Sequence, residues 1–235
     1  MKYEKTIICL ANSRKPPSGR CVAGKEIDGD GYGQWIRPVS DRQGQEISEE
    51  ERRFESGKKA QVLDVVTVPM IEPRPARHQT ENHLIDHDDY WTKVSVATWD
   101  DVQEAVDTVN GPLWINGHST YHGRNDKVPE NLVRDLKSSL MLVRIPELCI
   151  EVVAESGYEG RPGRRRVRTV FRHSGHSYSI VVTDPEVDDE YFAKKNGKYQ
   201  LEDAIVCFSL AELFYGHASK LAAAIFTKDR CKGTS

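Results

Sequence analysis

The stretch "RRRVRTVFRHSGHSYSIVVTDPE", residues 164–186, reads as a β-hairpin. Val167, Thr169 and Phe171 alternate along its first limb, and Tyr178, Ile180 and Val182 along its second. A period of two is a strand signal, because successive side chains leave a strand on opposite faces. The "HSGH" between the limbs supplies the turn. The same alternation puts Arg166, Arg168 and Arg172 on the face opposite the apolar set, so each limb has one face for a core and one for something polar.

Short strands of this kind recur on both sides of the hairpin. Upstream they are "KTIICLANS" (5–13), "GRCVAGKEI" (19–27), "GQWIRPVS" (33–40), which Pro38 ends or places at an edge, and "QVLDVVTVPMIE" (61–72). "LMLVRIPELCIEVVAES" (140–156) precedes the hairpin, with a break expected near Pro146, and "QLEDAIVCFSL" (200–210) and "KLAAAIFT" (220–227) follow it. Val62, Val65, Val68, Phe171, Tyr178 and Ile180 are expected in cores. The polar run "DRQGQEISEEERRFESGKKA" (41–60) is an excursion between strands.

The middle changes period. In "TWDDVQEAVDTVNGP" (98–112), Trp99, Val102, Val106 and Val109 recur at helical spacing, which predicts a helix over about 98–110. Thr98 and Asp101 form a capping pair at its start, and Gly111 and Pro112 close it. "PENLVRDLKSSL" (129–140) predicts a second short helix, and "SLAELF" (209–214) one helical turn capped by Ser209 and Glu212. Regular strand–helix alternation is missing, as is a glycine-rich phosphate loop, so two groups of short strands around a helical insert fit two small β-barrels better than a βαβ sheet. The pattern predicts a mainly β protein with short helical inserts: a unit over 1–96, a helical connection over 97–140 and a second unit over 141–235.

The 235 residues are enough for one large or two small domains, and 38% apolar with 29% charged residues is a globular composition. No apolar run approaches membrane-spanning length, and the start lacks the apolar stretch of a secretory signal. Net charge is −3, which argues against wholesale coating of a nucleic-acid backbone but leaves room for a local basic groove. Five cysteines without a CxxC pair point to reduced thiols and a cytoplasmic location.

The ordered set "ANSRK", "GRCVAG", "WIRPVS", "HQTENHLID" followed by Tyr90 and Trp91, "VRTVFRHSGHSYSIVVTDPE", "CFSLAELF" and "KLAAAIF" resembles the dual OB-containing domain family. The resemblance spans nearly the whole chain. It implies two OB-like barrels and a link to nucleic acids or nucleotides, and it implies no particular reaction.

Three polar constellations are candidates for a site. The N-terminal one gathers Ser13, Arg14, Lys15, Arg20 and Arg37 around Trp35. Arginine holds phosphate in bidentate fashion and a tryptophan face can stack a base, although a solvated loop and a core tryptophan would read the same way. In "HQTENHLIDHDDYW" (78–91), Glu81 and Asn82 can bond a base edge or orient a water. His83 and His87 there raise the question of a metal, but no HExxH accompanies them, and neither metal nor cofactor is assigned. The third has six arginines between Arg161 and Arg172, where Arg166 and Arg168 face away from the apolar side. That is the strongest local signal for an anionic partner, a single-stranded nucleic acid, a nucleotide or an acidic protein surface, against the plain alternative of a solvated strand face. Lys220 can reach a site from the start of the last strand. The favoured reading is a nucleic-acid or nucleotide-binding module. Its rivals are an enzyme acting on a nucleotide or modified base, for which no catalytic motif is identifiable, and a protein-interaction subunit.

Overall fold

The computed structural model describes residues 2–15, 19–29, 31–42, 44, 46–157, 160 and 162–232, and of Lys15 only the backbone. The chain divides into two compact units. Unit 1 takes the residues up to Ala105, Lys137–Ser139 and the chain from Lys228 onward, and unit 2 takes Val106–Leu136 and Leu140–Thr227.

Unit 1 is built from β1 (Tyr3–Lys15), β2 (Gly19–Asp28), β3 (Gly31–Val39), β4 (Asp64–Pro73), β5 (Asn82–Ile85) and β6 (Thr92–Val96), followed by the short helix α1 (Trp99–Glu104). The first three strands meander antiparallel. β3 then pairs in parallel with β5, β5 antiparallel with β4, and β4 returns to β1, which closes a five-stranded barrel with β6 added outside β4. Ile7, Cys9, Val22, Ile36, Val66, Val68, Met70 and Ile85 point into it. The coiling needed for closure is visible at Gly24, where a Cβ would lie 2.0 Å from the Ile8 carbonyl oxygen. Only glycine permits that approach. Pro38 is accommodated because β2 has left β3 by then: the last β2 partner is Ile36, and β5 takes over from Arg37.

Unit 2 repeats this connectivity. It contains β7 (Lys127–Pro129), α2 (Glu130–Val133), β8 (Leu140–Glu155), β9 (Arg164–His173), β10 (His176–Val182), α3 (Pro185–Phe192), β11 (Gly197–Phe214) and β12 (His217–Phe226). β8, β9 and β10 meander, β10 pairs in parallel with β12, β12 pairs antiparallel with β11, and β11 returns to β8. Both units are thus OB-like barrels, closed through a parallel contact between their third and fifth strands. α4 (Lys228–Lys232) follows β12 and is grouped with unit 1. Among the described residues no helix is long and apolar enough to cross a membrane.

The hairpin of 164–186 forms as its alternation dictates. Ser174 and Gly175 both take positive φ, 46° and 79°, the type I′ geometry that matches strand twist. Phe171 stacks on Tyr178 with ring centroids 5.0 Å apart and on Phe208 at 5.3 Å, at the centre of the unit 2 core. Behind the hairpin Asp184 caps α3, its carboxylate accepting from Glu186 and Val187 amides at 3.2 and 3.5 Å and from Ile225 at 2.9 Å.

Several elements differ from the sequence expectation. The helix after Thr98 has its capping box but ends at Glu104, because the chain leaves unit 1 at Ala105. The helix expected through residue 140 is only α2, since residues 137–139 group with unit 1 and Leu140 begins β8. "SLAELF" is strand: a β-bulge between Leu210 and Leu213 puts those leucines three apart on one face, which mimics helical spacing. No break occurs at Pro146, which lies inside the continuous β8. Val65, Val68, Phe171, Tyr178 and Ile180 are buried, whereas Val62 precedes β4 and is half-buried.

Candidate functional site

In unit 1 the predicted basic residues separate by environment. Arg14 and Arg20 are register partners on β1 and β2, with Arg14 exposed and Ser13 buried next to it; the Lys15 side chain and Arg161 lie outside the described residues. The Arg20 Nε donates to Glu49 at 3.1 Å, and Glu49 also receives Arg52 at 2.5 Å and Lys59 at 3.1 Å. Burial alone would raise the Glu49 pKa, but these hydrogen bonds outweigh it and bring the carboxyl down to about 2. Ile36 enters the core, so Trp35 and Arg37 share the opposite face of β3. Trp35 is half-buried there, with the Lys25 ammonium 5.7 Å from its ring centroid.

Arg37 and Glu81 meet each other. The Arg37 Nε and Nη2 donate to Glu81 Oε1 at 3.3 and 3.2 Å, and Nη2 donates to Ser139 Oγ at 2.9 Å. The Ser139 hydroxyl also donates to Glu81 Oε1. All three residues are buried, and Thr80 adds a bond to the Lys137 carbonyl at 2.7 Å. This network clamps residues 137–139 onto the loop before β5. Asn82 is fully buried beside it and reaches Gln79 at 3.5 Å. His83 bonds Tyr3 at 2.6 Å and His87 lies 3.6 Å from Asp88, and no group of three or more potential metal ligands occurs among the described residues.

In unit 2 the outward column of β9 is Arg164, Arg166, Arg168, Val170, Arg172: arginine at four of five positions. Phe171 and Val167 point the other way into the core. Arg168 differs from its neighbours. Its Nε donates to Glu155 at 2.6 Å, its Nη1 lies 3.7 Å from Asp126 and donates to the Ser179 carbonyl at 3.3 Å, and it is buried. Asp126 in turn accepts from the Thr120 amide at 2.7 Å and hydroxyl at 2.6 Å. Lys220 is buried as well, donating to the Ile115 carbonyl at 2.8 Å and Asn116 Oδ1 at 3.0 Å. Burial pulls its pKa down to about 7, with Asp126 opposing that shift. Arg168 and Lys220 therefore hold the segment 113–129 against the barrel, where it pairs with β12 at Ser219 and with β10 at Ser179.

That segment builds one wall of a groove of about 750 Å³. His122 and Arg124 line it from the segment, Val170 and Arg172 from β9, Ser177 and Ser179 from β10, and Glu147, Cys149 and Glu151 from β8, with Gln200 from β11. The cations are on the β9–β10 side and the carboxylates on the β8 side. Arg166 continues the column beyond the groove. Burial and then its neighbour Arg164 lower its pKa, while Glu155 works the other way, and its Nε has no hydrogen-bond partner. Like charges this close are unfavourable in the free protein, and a line of phosphates would relieve them.

The arginine column was readable from alternation. Arg124 and Gln200 carried no linear signal, because contacts between residues far apart in sequence bring them to the groove, whereas His122 stands in the loop stretch "HSTYH" (118–122), which reads as a minor candidate against a plain surface loop.

A family model described as a dual OB-containing domain matches residues 5–225, and the chain belongs to that family. No curated protein and no solved structure matches it.

Proposed function

We propose that this dual OB-containing protein binds single-stranded nucleic acid across the outer face of β9 and β10. The carrying observation is a groove beside the barrel's second and third strands, the face on which OB barrels take oligonucleotides, lined by Arg172 of the β9 arginine column, whose other members continue beyond it. Phosphates lie toward Arg124, Arg164, Arg166 and Arg172. Bases turn toward Glu147, Glu151 and Gln200, whose oxygens accept from exocyclic amines. Arg168 is a positioning residue, neutralised by Glu155 and Asp126, and keeps the Arg124 wall in place. Net charge of −3 fits a short strand held in a local groove better than a duplex coated along its length. In unit 1, Trp35 with Lys25 offers a second, smaller stacking surface.

Fluorescence anisotropy with a labelled single strand of about 10 nucleotides, within the usual OB site size, tests the reading. Arg166→Ala with Arg172→Ala should weaken binding on the order of 10-fold or more, as expected for two charge-assisted contacts. Unchanged affinity in that variant would remove the column from the interface.

A further inference from the structure

The turn joining β11 to β12 carries Phe214 and Tyr215, 68% and 80% exposed, with ring centroids 4.4 Å apart in an edge-to-face arrangement. Single exposed apolar residues need no explanation, but two adjacent aromatics on a fixed support do. The support is rigid. Tyr215 and Gly216 take φ of 48° and 73°, the two-residue type I′ turn, and Leu213 pairs with the buried Ala218 behind it. The Glu130 amide donates to the Gly216 carbonyl at 2.8 Å, and β7 pairs with the start of β12 at His217.

The tip is continuous with the groove through the loop 118–124. His118 at one end of the loop lies 6.4 Å, ring to ring, from His217 beside the tip. His122 and Arg124 at the other end line the groove, and Tyr121 between them is 67% exposed with its ring 4.7 Å from that of His122. Four residues of loop span at most about 13 Å, two or so nucleotide steps of an extended strand.

We infer that a single strand seated in the groove runs along this loop and stacks its further bases on Tyr121 and then on Phe214 and Tyr215, so that the hairpin tip sets the length of strand the unit holds. The inference rests on the reading of the groove above. Unpaired bases are the fitting occupant, because flat π faces pair with exposed rings whatever the sequence, while a duplex hides its base faces in its own stack. Histidine and arginine, His118, His122 and Arg124, lead to the tip from the groove.

The test is a length series of unlabelled single strands, from about 3 to about 10 nucleotides, competed against one labelled strand. Wild type, Phe214→Ala with Tyr215→Ala, and Arg172→Ala are compared, with circular dichroism confirming the fold of each. Wild-type affinity should rise with length. The tip variant should bind the shortest strands as wild type does and lose about 10-fold on the longest, the scale of one or two stacking contacts. Arg172→Ala should weaken every length. A tip variant that keeps the wild-type length dependence, or one that loses equally at all lengths, overturns the inference while leaving the groove reading intact. Wild-type protein that binds no strand of any length overturns both.

Discussion

Lys220 is 1% exposed, and its ammonium has two acceptors, the Ile115 carbonyl and Asn116 Oδ1, with the Tyr178 ring centroid 5.5 Å away. Removal from water brings its pKa from 10.5 to about 7. In the unfolded chain the lysine keeps its proton to about pH 10.4. Below pH 7 both states are charged and the folded state bears the whole desolvation cost. As pH rises through 7 the folded state releases its proton first, so the unfolded state binds more protons and stability increases with pH. From pH 6 to pH 9 about two units of this titration are completed, a gain of about 2.7 kcal/mol at 1.36 kcal/mol per unit. Lys220→Met removes the titration but also strips the two acceptors of their donor, a pH-independent loss of about 1–3 kcal/mol each. Urea unfolding of both proteins at pH 6, 7, 8 and 9 separates these effects, since other titrating groups cancel in the difference. Wild type should gain about 2.7 kcal/mol relative to Lys220→Met over that range. A difference that stays constant with pH would mean that Asp126 and the two acceptors keep the ammonium charged, refuting the reasoning.

Glu155→Gln leaves Arg168 buried with only the more distant Asp126 as a counter-charge, and should cost about 3–5 kcal/mol in denaturant unfolding, the scale of a broken buried pair; a loss under about 1 kcal/mol would mean the guanidinium is solvated. Trp35→Ala should cost less than the 3–5 kcal/mol or so of a core tryptophan, because Trp35 is only half-buried on the outer face of β3. If unit 1 stacks a base there, the same variant weakens single-strand binding by about 1–3 kcal/mol, and a stable variant with unchanged affinity would take Trp35 out of any site. Thr98→Ala removes the reciprocal cap with Asp101 and should lower stability by about 1 kcal/mol, checked by thermal unfolding.

What could be read in the sequence was local. The 164–186 hairpin and the Thr98–Asp101 capping box depend on neighbours a few residues apart, and both form. Barrel closure depends on parallel contacts of two or three residues, Arg37–Val39 beside Asn82–Leu84 and Val181–Val182 beside Leu221–Ala222, too short to leave a pattern. The same limit applies to charge. Alternation assigns Arg166, Arg168 and Arg172 to one face, yet nothing nearby marks Arg168 as the member that Glu155, 13 residues away, buries. Arg37 and Glu81, drawn from two separate candidate stretches, turn out to be each other's partners. Helical spacing misled where a bulge imitated it, in "SLAELF".

The most direct test of the central claim is the salt dependence of single-strand binding by wild-type protein, measured by anisotropy between about 50 and 200 mM salt. Four arginines are available to phosphates, Arg124, Arg164, Arg166 and Arg172, with Arg168 already neutralised by Glu155. At about −0.7 per phosphate for a single strand, the plot of log affinity against log salt should fall with a slope of about −3. Binding that is absent, or whose slope is near zero, would contradict the assignment of the β9 face as a nucleic-acid interface.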